Sequence, residues 1–256
     1  MSDTASGFDH GPFHRLSWHD YSLFVDFDGT LVELAERPEQ VLVTAPLVAT
    51  LARLYELLGG KLAVISGRPI AQIDALLYPL VLPAAGVHGL ERRDGAGRFM
   101  QAPIPDMSSV LAAAQMLAAS QPGLWVEQKY GALALHYRQA PQLGPLCDQI
   151  MLEAVLNCPG TVLLKGKMVV EIKPAGIDKG TAIRAFMREA PFAGHMALFA
   201  GDDMTDEAGF DMVQQAGGAG IKVGPGLSIA QFRIDGPGAL YQALDQVVNT
   251  ISRRNG

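Results

Sequence analysis

Apolar residues fall in short runs along the first hundred positions, and each run stops at polar, acidic or glycine residues. Leu23 to Asp28 (LFVDFD), Lys61 to Ile65 (KLAVI) and Val81 to Val87 are too short for buried helices and too continuous for half-exposed strands. They predict strands covered on both faces. Between them, Ala45 to Leu58 predicts a helix stopped by Gly59-Gly60, and a second helix follows Ser66-Gly67-Arg68-Pro69 and runs to Leu77. Strand alternating with helix predicts a parallel sheet with helices on both faces.

The rhythm then changes. Ala102 to Asp106 (APIPD) reads as a linker, and Ser108 to Ala119 as an alanine-rich helix. Strands are expected at Trp125 to Lys129 and Ala132 to Arg138, a helix from Leu143 to Leu156, and strands at Thr161 to Lys165 and Met168 to Ile172, turned by Gly166. Strands this close in sequence must pair antiparallel. Lys173 to Gly176 reads as a second linker, after which the first rhythm returns: helix Lys179 to Glu189, strand Met196 to Ala200, a helix, a strand near Gly220 to Val223 and a C-terminal helix. The expected architecture is α/β, a Rossmann-like parallel-sheet core (residues 1–103 and 176–256) interrupted by an inserted α+β cap (104–175).

Composition narrows the partners. Hydrophobic residues make up 49% of 256 positions, enough for a sizeable core, and the formal net charge is −6. That sign disfavours nucleic acid and anionic membrane, so an anionic small molecule must be met by a local group of Lys and Arg. Cys147 and Cys158 form neither a zinc pattern nor a disulfide framework. Met1 to Trp18 is polar and lacks the apolar stretch of a signal sequence, and no run of eighteen apolar residues occurs. A cytoplasmic protein without membrane partners is expected. Its state of assembly stays open, with a monomer as the simplest case.

Three segments place polar groups at the C-terminal end of an apolar strand, the edge where open α/β sheets bind ligands. In Asp26-Phe27-Asp28-Gly29-Thr30-Leu31, two carboxylates one residue apart can face one site if Gly29 allows the backbone to turn. One could act as a nucleophile and the other as general acid and then base. Ser66-Gly67-Arg68 offers a hydroxyl and amides at a helix start, a suitable bed for phosphate. Gly201 to Glu207 (GDDMTDE) holds four acidic residues within six positions, a density that asks for a hard divalent cation such as Mg²⁺. Lys179 could neutralise both the nucleophile and a transferring phosphoryl group. Singly, each segment has an ordinary explanation as a solvated loop, a turn or a helix cap. Together and in this order they argue for one site.

These motifs resemble the four signatures of the haloacid dehalogenase superfamily. The resemblance implies Asp26 as nucleophile and Asp28 as acid and base. Ser66, Gly67, Arg68 and Lys179 would hold the phosphate. Mg²⁺ would lie on Asp26, the Asp28 carbonyl and Asp202, supported by Asp203 and Asp206. Gly86-Val87-His88-Gly89-Leu90-Glu91, Glu127-Gln128-Lys129, Arg138 and Lys167 to Glu171 narrow the likeness to the trehalose-6-phosphate phosphatase family. In that case Glu127, Lys129 and Glu171 would meet sugar hydroxyls, while Arg138 and Lys167 would reach toward the substrate and its phosphate. Alternation puts Glu127 with Lys129, and Lys167 with Glu171, on single strand faces. One departure is Lys173-Pro174 where the family pattern has Arg-Pro, which keeps the charge and loses the fork. The expected activity is Mg²⁺-dependent hydrolysis of a sugar phosphate through an aspartyl phosphate. Another capped sugar phosphatase, a phosphosugar mutase and a phospho-acceptor switch share enough of the core to stay open.

Overall fold

Six of the eight strands of the main sheet run parallel, and their order explains where a site can form. The computed structural model describes residues 18–35 and 37–254; the polar stretch preceding Trp18, and with it the reading of the N-terminus, lies outside them. The strands are β1 (Tyr21–Val25), β2 (Leu62–Ile65), β3 (Ala84–Gly86), β4 (Glu91–Arg93), β5 (Phe99–Gln101), β10 (Met196–Gly201), β11 (Ala219–Val223) and β12 (Phe232–Ile234). They are ordered β12-β11-β10-β1-β2-β3-β4-β5. β12 through β3 pair in parallel, while β4 runs antiparallel to β3.

Two helical layers cover the sheet, and the strand period of two sorts residues between them. Leu23 and Val25 point to one face with Leu47, Leu51 and Leu54 of α1 (Ala45–Leu57), Ile70 and Ile73 of α2 (Ile70–Leu77), and Leu240, Leu244 and Val247 of α7 (Pro237–Arg254). Phe24 and Phe199 point to the other, against Ile183 and Phe186 of α5 (Lys179–Phe186) and Phe210 and Val213 of α6 (Glu207–Gln215). Phe24 stacks on Phe192 with ring centroids 5.4 Å apart and lies 5.9 Å from Phe186. Each such aromatic pair adds about 0.5–1.5 kcal/mol beyond the area it buries.

Among the described residues, those up to Phe99 and from Asp178 onward form one compact unit, and Met100–Ile177 form a second. The second has a four-stranded antiparallel sheet ordered β6-β7-β9-β8, from β6 (Trp125–Lys129), β7 (Ala132–His136), β8 (Thr161–Gly166) and β9 (Val169–Pro174). Leu133, Leu135, Val170 and Ile172 on one face pack against Val110 and Ala114 of α3 (Ser108–Ser120) and Cys147 and Met151 of α4 (Gly144–Leu156).

Several expectations need correcting. β1 ends at Val25, and the chain turns after it into the DxD segment. β4 and β5 precede the expected linker. β4 is not among the expected strands: Glu91, Arg92 and Arg93 take strand form by pairing with Gly86, Ala85 and Ala84. β9 continues through Lys173 and Pro174, which pair with Val162 and Thr161 rather than forming a linker. β7 stops at His136, so Arg138 lies beyond it. Lys167 is not on a strand face: it sits in the two-residue turn with Met168, whose φ of 65° closes the β8–β9 hairpin.

Candidate active site

From β1 the chain moves outward on one side through β2 and β3, and after α5 it returns to β10 on the other side of β1. The gap between the carboxyl ends of β1 and β10 is therefore the topological switch point. Asp26 follows β1 there, its amide bonded to the Ala200 carbonyl of β10 at 2.9 Å. Asp202 follows β10. Gly29 joins the two edges: its φ of +78° turns the chain, and a Cβ there would lie 2.2 Å from Asp202 Oδ2. Only glycine allows that approach. Thr30 Oγ1 bridges the edges, 3.3 Å from Asp26 Oδ2 and 3.4 Å from Asp202 Oδ1.

Lys179 opens α5, an unfavourable place for a cation beside the positive end of a helix dipole. Two buried carboxylates compensate. Its Nζ lies 2.8 Å from Asp26 Oδ1 and 2.7 Å from Asp206 Oδ1. Asp206 is fully buried, and its second oxygen accepts from the amides of Asp202 at 2.9 Å and Asp203 at 3.0 Å. It thus braces the acidic loop. Asp203 Oδ1 accepts from the Thr205 amide and hydroxyl.

Burial lifts the Asp26 carboxyl to about 7, opposed by Lys179 and reinforced by Asp202 and Asp203. Burial likewise lifts Asp206 to about 8 against the pull of Lys179. Asp202 rises to about 6 through burial and its neighbours Asp203 and Asp206. Burial would raise Asp203 too, but Lys179 and the two Thr205 bonds hold it below its ordinary value. Burial would lower Lys179, yet Asp206 and Asp26 keep it well above its ordinary value.

Carboxylate oxygens of Asp26, Asp202 and Asp206 all lie within 4.8 Å of one another. Repulsion between so many negative groups is relieved either by protons, as those raised values record, or by a hard cation. The all-oxygen donor set fits Mg²⁺. Both Asp206 oxygens are engaged by Lys179 and the fixed loop amides, whereas Asp26 Oδ2 and Asp202 Oδ1 meet the rotatable Thr30 hydroxyl at 3.3 and 3.4 Å, so Asp26 and Asp202 are better placed as ligands.

On the β2 edge, Ser66 is buried and its Oγ accepts from the Arg68 amide at 3.1 Å, leaving its proton to donate. Gly67 packs under the His88 ring, where a Cβ would come within 2.8 Å of Cε1 and Nε2. Arg68 meets a carboxylate. Its Nε and Nη2 meet Asp28 Oδ2 and Oδ1 at 2.6 and 2.7 Å, so that edge of the guanidinium faces the carboxylate rather than a phosphate. Sequence reasoning also missed Lys222 on β11. Its buried Nζ donates to the carbonyls of Asp202 at 2.6 Å and Val223 at 2.7 Å. A single cation in the apolar run AGIKV was the available signal.

In the smaller unit, Glu127, Lys129 and Glu171 share the sheet face opposite the helices. Lys129 Nζ lies 3.7 Å from Glu127 and 3.6 Å from Glu171. His136, another residue missed in the sequence, bonds Glu127 at 2.9 Å and stacks on Trp125 with centroids 3.9 Å apart. Burial would raise Glu127, but His136 and Lys129 outweigh it and hold the carboxyl below its ordinary value. Arg138 and Lys167 are exposed, joined by Arg138 Nη2 donating to the Lys167 carbonyl at 3.3 Å. Lys173 is buried and donates to the Ile177 carbonyl, so a single ammonium serves where a fork was expected.

The sequence profile of the trehalose-phosphatase family matches residues 24–233. The chain belongs to the trehalose-phosphatase family. It is 41% identical over 236 residues to the trehalose-6-phosphate phosphatase of Escherichia coli (strain K12), covering 91% of this chain and 89% of that one. It is 43% identical over 208 residues to a probable trehalose-phosphate phosphatase of Sinorhizobium fredii, covering 80% and 78%. Among solved structures, a trehalose-6-phosphate phosphatase related protein superposes with a TM-score of 0.76 at 26% identity, covering 91% of this chain and 99% of that one. The C-terminal domain of the Candida albicans trehalose-6-phosphate phosphatase gives 0.80 at 22% identity, covering 90% and 92%, a likeness of fold. The α/β core with its inserted α+β module is thus a fold shared with these solved relatives. No described helix is long and apolar enough to cross a membrane.

Proposed function

We propose that this chain hydrolyses trehalose 6-phosphate to trehalose and phosphate, with Asp26 as the nucleophile. The reading rests above all on one observation: Asp26 sits at the sheet's switch point, buried, with Lys179 on one oxygen at 2.8 Å. An Asp26 oxygen attacks phosphorus and the bond from phosphorus to the sugar 6-oxygen breaks, giving an aspartyl phosphate and free trehalose. Asp28 gives a proton to the departing oxygen, then takes one from the water that attacks phosphorus and restores Asp26. Lys179 and the Ser66 hydroxyl stabilise charge on the phosphoryl oxygens. Asp26, the Asp28 carbonyl and Asp202 would hold Mg²⁺, with Asp203 and Asp206 bracing them, and the ion would supply charge neutralisation to the phosphoryl group.

The unit 100–177 serves in this reading as the cap. Glu127, Lys129 and Glu171 offer acceptors and a donor suited to sugar hydroxyls, and Arg138 and Lys167 supply exposed cations for the substrate. Phosphate release should be measured on trehalose 6-phosphate, glucose 6-phosphate, sucrose 6-phosphate and mannose 6-phosphate, with Mg²⁺ and with EDTA. The proposal expects metal-dependent release from the first far above the rest. Comparable release from all four would remove the specificity, and release from none would remove the phosphatase.

A further inference from the structure

We propose that Arg68 is a positioning residue for Asp28, fixing where that carboxylate gives and receives its proton. The inference rests on the reading of Asp28 as acid and base, and goes beyond it by assigning the group that holds Asp28 in place.

The geometry is a fork on a fork. Arg68 Nε lies 2.6 Å from Asp28 Oδ2 and Nη2 lies 2.7 Å from Oδ1, so two parallel bonds fix the position and plane of the carboxylate. Arg68 is itself held. Its amide donates to Ser66 Oγ at 3.1 Å, and its guanidinium carbon lies 5.7 Å from the centre of the Phe27 ring. The side chain is 9% exposed against 29% for Asp28, so the anchor is the more buried partner and the carboxylate the more accessible one. That is the arrangement wanted of a support and the group it presents. Asp28 must meet a sugar oxygen and then a water at nearly the same point, and an error of about 1 Å there can cost about a hundredfold in rate.

The two roles separate by leaving group. Nitrophenolate departs without a proton, whereas a sugar alkoxide needs one. Arg68→Ala and Arg68→Lys should be compared with the unaltered protein, in Mg²⁺, on trehalose 6-phosphate and 4-nitrophenyl phosphate. Turnover of the sugar phosphate and first-turnover release of nitrophenolate would be followed together. Positioning predicts that Arg68→Ala lowers sugar-phosphate kcat by about a hundredfold, in the range of general acid catalysis, with KM nearly unchanged. First-turnover nitrophenolate release should fall far less. Arg68→Lys should recover only part, because one ammonium cannot fork both oxygens. The ratio between substrates is taken within each protein, so reduced stability of a variant does not mimic the effect. Equal losses on both substrates, with inhibition by inorganic phosphate weakened in parallel, would overturn the assignment in favour of phosphate binding. If the unaltered protein acts on neither substrate, the phosphatase reading itself fails, and the role of Arg68 with it.

Discussion

The Lys179 ammonium lies 2.8 Å from Asp26 Oδ1, across 153 positions of sequence, and both side chains are almost wholly buried. The same nitrogen is 2.7 Å from Asp206, so one cation balances the proposed nucleophile and a carboxylate that braces the acidic loop. Coupling of this kind lets one residue decide both the stability of the site and its chemistry.

Replacing Lys179 by Met should therefore affect both. It leaves Asp26 and Asp206 buried without their counter-charge, and removing one partner of a buried pair costs about 3–5 kcal/mol. Chemical denaturation of the metal-free protein should show a loss of that order, and phosphate release should fall below detection. A variant as stable as the parent would mean the carboxylates do not depend on this cation.

Metal should stabilise the protein more as pH rises. Asp26, Asp202 and Asp206 are held in the fold at about 7, 6 and 8, first of all by burial, above the 3.8 of a free carboxyl. Without metal the folded state then binds more protons than the unfolded one, so their contribution is fullest below about pH 4 and is lost as pH climbs through 8. Mg²⁺ competes with those protons, so the rise in unfolding temperature on adding it should be larger at pH 8.5 than at pH 6. A shift that is the same at both pH values would contradict a metal held by these carboxyls.

Glu127→Ala and Glu171→Ala should each lower kcat/KM for trehalose 6-phosphate by tenfold or more, about 1.4 kcal/mol of transition-state binding, and spare 4-nitrophenyl phosphate. His136→Ala should follow Glu127→Ala at smaller size, since His136 bonds Glu127 at 2.9 Å rather than replacing it. Equal losses on both substrates would make this face structural.

Lys222→Met should weaken the acidic loop from behind. It leaves the Asp202 and Val223 carbonyls without their donor, at about 1–3 kcal/mol for each buried group. Groups that orient ligands typically change metal affinity by about 10–100-fold, and the Mg²⁺ concentration for half-maximal activity should rise accordingly. An unchanged Mg²⁺ dependence would confine Lys222 to holding the strand.

Much of this arrangement was legible in the sequence, for a physical reason. β2 and β10 are buried on both faces, so Leu62–Ile65 and Met196–Gly201 had to be apolar throughout, and their ends announced themselves by Ser66 and Asp202. What stayed hidden depends on partners distant in sequence. The charged residues of β4 become a strand only because β3 lies beside them, and β12 is a short edge strand of mixed character. Arg68 reads as a phosphate ligand from its neighbours Ser66 and Gly67, and nothing local says that Asp28, 40 residues away, takes up its fork. Lys167 fits an alternating strand pattern until Met168 adopts a left-handed backbone and puts both in the turn.

Identifying the residue that carries the phosphoryl group tests the central claim most directly. The protein should be mixed with substrate and Mg²⁺, quenched in acid within one turnover, treated with hydroxylamine and mapped by peptide mass spectrometry. The account predicts a hydroxamate at Asp26 and none in Asp26→Asn. Modification at another residue, or an unmodified Asp26 in protein that is releasing phosphate, would contradict it.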